Sequence, residues 1–213
     1  PKHIKGIILS SPSNPTGSTI NKKLLKEINN ICLEKNITII SDEIYQGINY
    51  EINSKEESLL SFNSNGIVIN SFSKYFLMTG WRLGWIVSSS NHIKEISKIA
   101  MNVYLSPSSI SQYTALETFK YYNYFDDVVK DYYLRRNYLK NKLNEIGLNR
   151  FFIPNGAFYF YIDISKYTNN SYRFCEQMVK DINVTCAPGI DFDDKQGNSF
   201  IRISFAGKKN ELV

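Results

Sequence analysis

Three short apolar runs, each ending at a polar residue, constrain this chain most. Ile4 to Ser10 runs into SPSNPTG, Thr38 to Ser41 ends on Asp42, and Gly66 to Asn70 ends just before Ser71. Runs of this length, rich in β-branched residues, read as buried strands. Between the first two, Ile20, Leu24, Leu25, Ile28, Ile31 and Cys32 recur at helical spacing, and Ser18 or Thr19 is placed to cap the start. Strand, helix and strand in this order predict an α/β fold with a mostly parallel sheet. Gly84 to Ser88 reads as a fourth strand, close enough to the third to run antiparallel without a crossover.

Helical patterns follow over Ile93 to Asn102, Ser109 to Tyr121 and Asp127 to Ile146. The last places Val128, Tyr132, Leu139, Leu143 and Ile146 on one stripe. From Phe151 the texture changes to strand-like FFIPNGAFYFYIDI, a short helix near Tyr172 to Asp181, then strand-like NVTCAPG and SFIRISFA. This reads as a smaller α+β unit. The boundary falls near Gly147, dividing the chain into 1–147, which ends on the long helix, and 148–213.

With 213 residues, 43% hydrophobic and 21% charged, the chain is neither collagenous nor disordered and has enough length for a substantial core. A formal charge of +5 is mild for a nucleic-acid binder and suits an anionic cofactor or substrate equally well. No apolar run approaches the ~20 residues that cross a bilayer. Cys32, Cys175 and Cys186 are widely spaced and cannot all pair, so reduced thiols in the cytoplasm are expected. His3 and His92 are isolated and read as surface residues, and no metal-ligand spacing is present.

The chemistry gathers just past the carboxyl ends of the three strands. Asn14 follows the first, Asp42 and Tyr45 the second, Ser71 and Lys74 the third, with Arg82 eight residues beyond Lys74. That edge of an open α/β sheet is where ligands bind. GWRLG is no dinucleotide fingerprint, because it lacks the GxGxxG spacing and does not follow a strand.

The segments SPSNPTG, SDEIY, SFSKYFLMTGWRLGW and FIRISFA, in this order, resemble the signature segments of the class I and II aminotransferases, fold-type I pyridoxal-phosphate enzymes similar to aspartate aminotransferase. The resemblance runs from Ile4 to Ala206. It implies a three-layer α/β/α large domain, a smaller C-terminal α+β domain, pyridoxal 5'-phosphate as cofactor, and ping-pong exchange of an amino group between amino acids and 2-oxo acids in a homodimer. Lys74 matches the lysine that forms the Schiff base with the cofactor and then shuttles the substrate Cα proton, which requires a lowered pKa. Asp42 matches the carboxylate that pairs with the pyridine nitrogen. Asn14 and Tyr45 match the pair that hydrogen-bonds the cofactor's phenolic oxygen. Ser71 and Arg82 match the phosphate anchors, with Ser73 beside them. Arg202 matches the arginine that grips the substrate α-carboxylate, and strand alternation sets it opposite Ile201 and Ile203. The resemblance also predicts a cis peptide between Asn14 and Pro15. Two positions on from Asp42, Ile44 points the same way and is placed to pack on the ring face, while Arg135 and Arg136, on the long helix, read as solvated. Phe158 to Tyr161 read as core, although similar enzymes place this segment near the substrate.

Relatives are longer, and the chain is expected to be a piece of such a protein. Preceding parts of the family carry a phosphate-binding Gly-rich turn, an aromatic that stacks on the ring and a tyrosine donated across the dimer. The ending GKKNELV reads as cut before a final helix. Exposed apolar surface is expected where such segments would pack. No Lys or Arg lies between Lys98 and Lys120, so a distal carboxylate pocket must come from elsewhere, and aspartate, alanine, methionine and aromatic amino acids all stay open as substrates. Three rivals share the motifs. One is a pyridoxal-phosphate β-lyase. Another is the aminotransferase-like sensor domain of a transcription regulator, which needs a basic helix-turn-helix segment upstream, and none is present in this sequence. The third is an inert fragment that keeps the motifs yet holds no cofactor by itself.

Overall fold

The computed structural model describes residues 3–51 and 57–208. The expected cut before a final helix rests partly on 209–213, which lie outside the described residues. Contacts divide the chain into two compact units, Pro1–Pro12 with Thr19–Val129, and Ser13–Ser18 with Lys130–Val213.

The first unit is built on a four-stranded sheet of order β1-β2-β3-β4, comprising β1 (Gly6–Ser10), β2 (Thr38–Asp42), β3 (Ile67–Ser71) and β4 (Gly84–Val87). β1, β2 and β3 are parallel and β4 is antiparallel to β3, as the sequence predicts. Registers Ser10↔Asp42 and Asp42↔Ile69 align the carboxyl ends of the parallel strands. Helix α1 (Lys22–Glu34) covers one face, where Cys32 and Ile28 pack with Ile39, Leu59 and Val68. Each such apolar side chain contributes about 1.5–3 kcal/mol on full burial. β1 is less buried than its composition predicts. It lies at the sheet edge, pairs only with β2 among the described residues, and leaves Ile8 72% exposed.

Several helix boundaries shift. Asn21, not Ser18 or Thr19, caps α1 by accepting from the Leu24 backbone N–H. Ser18 is occupied instead by its contact with Thr16 Oγ1 at 2.7 Å. The pattern over 109–146 resolves into α3 (Ser109–Thr118) and α4 (Tyr122–Glu145), after α2 (Ser90–Val103). On α4, Tyr132, Leu139 and Leu143 are buried as expected, while Ile146 lies past the helix end and is 67% exposed. His92 is half-buried rather than fully exposed, with Nδ1 2.9 Å from Ser88 Oγ. The α4 helix straddles the division between the two units.

The second unit holds a three-stranded antiparallel sheet of order β5-β7-β6, comprising β5 (Tyr159–Asp163), β6 (Ala187–Pro188) and β7 (Phe200–Ser204), with α5 (Ser171–Ile182). The strand-like stretches around β5 and β6 shorten to these cores. Phe160, Ile162, Ile201 and Phe205 are almost fully buried. The loop 13–18 joins this unit through Gly17, whose φ of +65° and missing Cβ let it lie against Pro154 and Gly156 and accept the backbone N–H groups of Asn155 and Gly156.

Asp163 at the end of β5 offers a stability test. Burial alone would raise its carboxyl pKa, but hydrogen bonds from Ser165 and the charges of Arg150 and Lys166 outweigh burial and hold it below its ordinary value. The Arg150 guanidinium lies 2.6 Å from Asp163 Oδ2. A carboxyl depressed in the folded state contributes stability above its unfolded pKa and loses it as pH falls through the folded one. Asp163→Asn should therefore cost about 0.5–1 kcal/mol in urea unfolding at pH 7. The difference should vanish in acid below the carboxylate range, whereas an equal loss at both pH values would contradict the assignment.

Candidate active site

The aligned strand ends of the first unit place six of the eight sequence-predicted residues on one edge of its sheet. Asp42 closes β2, and its Oδ1 accepts the Ile44 N–H at 3.1 Å, turning the chain so that Tyr45 is buried. Ser71 closes β3. Its hydroxyl donates to the Leu83 carbonyl at 3.1 Å and accepts the Ser73 N–H at 3.0 Å. Ser73 is buried, and its carbonyl accepts the Thr79 hydroxyl at 2.9 Å. Arg82, in the left-handed region at φ 52°, is exposed and donates from one nitrogen to the Thr79 carbonyl at 3.1 Å. These bonds fold the residues around Lys74 into one compact turn at the end of β3.

Lys74 is half-buried, with Nζ 5.6 Å from the centroid of the Tyr45 ring. Gly47 permits the close approach of the two loops, since a Cβ there would stand 2.6 Å from the Tyr75 ring. Asn70 Nδ2 adds a bond to Gln46 Oε1 at 3.0 Å. Tyr75 donates its hydroxyl to Asp126 at 2.6 Å, and burial together with that carboxylate pushes its pKa up, so it stays protonated. Beneath this edge, Glu43 is buried and clamps the end of β2. Its Oε1 accepts from Ser41 Oγ and the Leu59 N–H, each at 2.9 Å, while Oε2 is buried without a hydrogen-bond partner among the described residues. Nothing in the pattern SDEIY distinguishes this buried carboxylate from Asp42 beside it.

In the second unit, Arg202 on β7 and Asn14 in the 13–18 loop meet directly. The Arg202 Nη1 donates to Asn14 Oδ1 at 2.7 Å. The guanidinium carbon lies 4.3 Å from the Tyr159 ring centroid and 4.6 Å from that of Phe192. Its Nε is buried without a hydrogen-bond partner among the described residues. The peptide Asn14–Pro15 is cis as expected, and so is Ser11–Pro12. Tyr159 therefore does more than fill the core, and Phe192 escaped the sequence reading because an aromatic in an irregular loop carries no periodic signal. Arg135 and Arg136 are not simply solvated: Arg135 donates to the Ala206 and Gly207 carbonyls, and Arg136 to the Pro154 carbonyl.

Among the described residues no group of three His, Cys, Asp or Glu is placed to hold a metal ion, and no helix is long and apolar enough to cross a membrane. The first unit thus presents an amine, a carboxylate, a phenol, two hydroxyls and a guanidinium at the carboxyl edge of an α/β sheet, the place where such folds bind ligands. The second presents a guanidinium set over two aromatic rings.

Comparison with known proteins agrees with this reading. The family model described as "Aminotransferase class I and II" matches residues 1–213. The chain is 36% identical over 211 residues to a valine–pyruvate aminotransferase of Mycobacterium tuberculosis, covering 98% of this chain and 54% of that protein. It is 35% identical over 216 residues to an aspartate aminotransferase of Pyrococcus horikoshii, covering 100% and 55%. The crystal structure of an aminotransferase from Mycobacterium tuberculosis superposes with a TM-score of 0.93 at 37% identity, covering 98% of this chain and 54% of that one. The fold is of the α/β class shared with aminotransferase structures, and the chain belongs to the class I and II aminotransferase family. It spans about half the length of the curated relatives it matches.

Proposed function

We propose that the protein of which this chain forms part or all is a pyridoxal-phosphate-dependent aminotransferase that moves an α-amino group between an amino acid and a 2-oxo acid by a ping-pong mechanism. In this reading it is a cytoplasmic homodimer. Residues 1–147 belong to the larger, cofactor-binding domain and 148–213 to the smaller one. The observation that carries the reading is Arg202. Its guanidinium is fixed by Asn14 and two aromatic rings and keeps a buried, unpaired Nε, an arrangement suited to a planar carboxylate.

The residues present fit the cofactor. Ser73 offers a hydroxyl and Arg82 its guanidinium to a dianionic phosphate, and Ser71, whose one O–H donates to the Leu83 carbonyl, would join them by rotating that hydroxyl. Asp42, with one oxygen committed to the Ile44 N–H, offers the other to a protonated ring nitrogen. The family resemblance assigns the contacts to the phenolic oxygen to Tyr45, in the first unit, and Asn14, in the second. When bound, pyridoxal phosphate supplies an aldehyde that condenses with amines and a ring that accepts carbanion electrons. The protein's own contribution is positional and acid–base. Arg202 fixes the substrate by its α-carboxylate and so sets which Cα bond faces reaction. Lys74 would hold the cofactor by its aldehyde carbon until an incoming amine displaces it, and the freed amine would then take the proton from the substrate Cα and deliver it to that aldehyde carbon, across the nitrogen from Cα. A second oxo acid reverses these steps.

The test follows nitrogen. With a 15N-labelled amino acid, pyridoxal phosphate and an unlabelled 2-oxo acid, the label should appear in the amino acid formed from that oxo acid, and only when both substrates are present. Release of labelled ammonia and an oxo acid without an acceptor would point to a β-lyase. Binding without turnover would point to a sensor domain. Running aspartate, alanine, methionine and aromatic donors in parallel identifies the substrate class.

A further inference from the structure

We infer that Cys175 and Cys186 form a redox site of the second unit: two thiols preset to close into a reversible intrachain disulfide on exposure to a hydroperoxide. The inference is independent of the proposed catalytic function. Cys175 is buried on α5, and Cys186 is half-buried in the return segment just before β6. Their sulfurs lie 3.3 Å apart, and the Met178 thioether lies 3.5 Å from the Cys186 sulfur. A disulfide needs about 2.05 Å between sulfurs, so closure asks for roughly 1.2 Å of approach, within the reach of χ1 adjustment and small backbone movement.

The backbone on both sides of Cys186 holds the pair together. Before it, α5 ends at Asn183 in the left-handed region, and the Val184 N–H bonds the Met178 carbonyl at 3.2 Å. After it, Ala187 and Pro188 pair with Arg202 and Ile201, and the Ile190 N–H reaches the buried Ser171 hydroxyl at the start of α5 at 3.4 Å. The eleven-residue separation gives no sequence cue, yet the fold brings the two thiols into contact. Cys32 lies in the other unit, on α1. Burial pushes the Cys175 thiol up to about 12 and raises Cys186 as well, so both rest as thiols at neutral pH and the reaction is slow.

The more accessible Cys186 attacks as thiolate the outer oxygen of the hydroperoxide. The O–O bond breaks, and with hydrogen peroxide the oxygen left behind departs as water while Cys186 becomes a sulfenic acid. The Cys175 sulfur then attacks the Cys186 sulfur. The S–O bond breaks, hydroxide leaves and combines with the proton Cys175 gives up, and the S–S bond forms. Two thiols lose two electrons and two protons, and hydrogen peroxide becomes two waters. A dithiol reductant reverses the bond by exchange.

The experiment exposes the folded protein to hydrogen peroxide, then unfolds it, alkylates free thiols and digests with trypsin. Cleavage after Arg173, Lys180 and Lys195 separates Phe174–Lys180, which carries Cys175, from Asp181–Lys195, which carries Cys186. The expected product is these two peptides joined, two hydrogens lighter than their sum, resolved by dithiothreitol, with Cys32 recovered alkylated. Cys186→Ser and Cys175→Ser should each abolish the joined product, and Cys32→Ser should leave it unchanged. The wild-type digest decides alone if a variant fails to fold. Recovery of both thiols alkylated, of Cys186 as sulfinic acid without a cross-link, or of a cross-link to Cys32 would overturn the inference.

Discussion

Lys74→Ala in the intact protein should abolish amino-group transfer, lowering kcat by at least about four orders of magnitude. Proton transfer by a positioned side chain is worth about 10²–10⁴-fold, and the same side chain is the amine that exchanges with substrate, so both contributions vanish together. Lys74→Arg should fail as completely, because a guanidinium stays protonated and cannot act as a nucleophile or accept a proton. A residue whose role was only to brace the fold would behave differently. Lys74 is half-buried and contacts the Tyr45 ring at 5.6 Å, so its loss should cost no more than about 1 kcal/mol of stability. Steady-state kinetics beside urea unfolding separates the two. A variant that keeps a tenth of the wild-type kcat would remove Lys74 from the chemistry.

Arg202→Lys should act on binding. A bidentate, charge-assisted contact to carboxylate is worth about 1.5–3 kcal/mol, which corresponds to roughly a 10- to 150-fold rise in KM. The rise should be the same for the amino acid and the oxo acid, since both present the carboxylate. Lysine keeps the charge but loses the fork and the planar contact with the Tyr159 and Phe192 rings. Phe192→Leu should raise both KM values by a smaller factor, up to about tenfold, because one wall of the stack is lost while the guanidinium stays. An unchanged KM for either substrate in Arg202→Lys would contradict a carboxylate role for this residue.

Much of this arrangement is legible in the chain itself. β-branched runs that stop on Asp42 and Ser71 fix both the strands and the edge where the polar residues emerge, and the observed parallel register follows. The short link from β3 to β4 makes the antiparallel turn readable. What escaped has a common cause, the dependence on contacts distant in sequence. Phe192 reaches Arg202 from an irregular loop, and the contact between Cys175 and Cys186 exists only because α5 turns back at Asn183. Glu43 looks like a second exposed carboxylate until the Leu59 N–H and Ser41 hydroxyl are seen to hold it. The start of α1 lies later than the pattern suggests because Asn21 accepts the Leu24 N–H while the Ser18 hydroxyl is engaged with Thr16. Ile146 fits the helical stripe by period, but α4 stops one residue earlier.

The central claim, that Lys74 is the cofactor lysine, has a direct chemical test. The protein is incubated with pyridoxal phosphate, reduced with borohydride to convert the lysine linkage into a stable amine, and mapped by tryptic digestion. Modification blocks cleavage at Lys74, so the account predicts the added mass on one peptide spanning 56–82, with the other lysines unlabelled and the label lost in Lys74→Ala. Label scattered over surface lysines, or concentrated on a lysine other than Lys74, would contradict it.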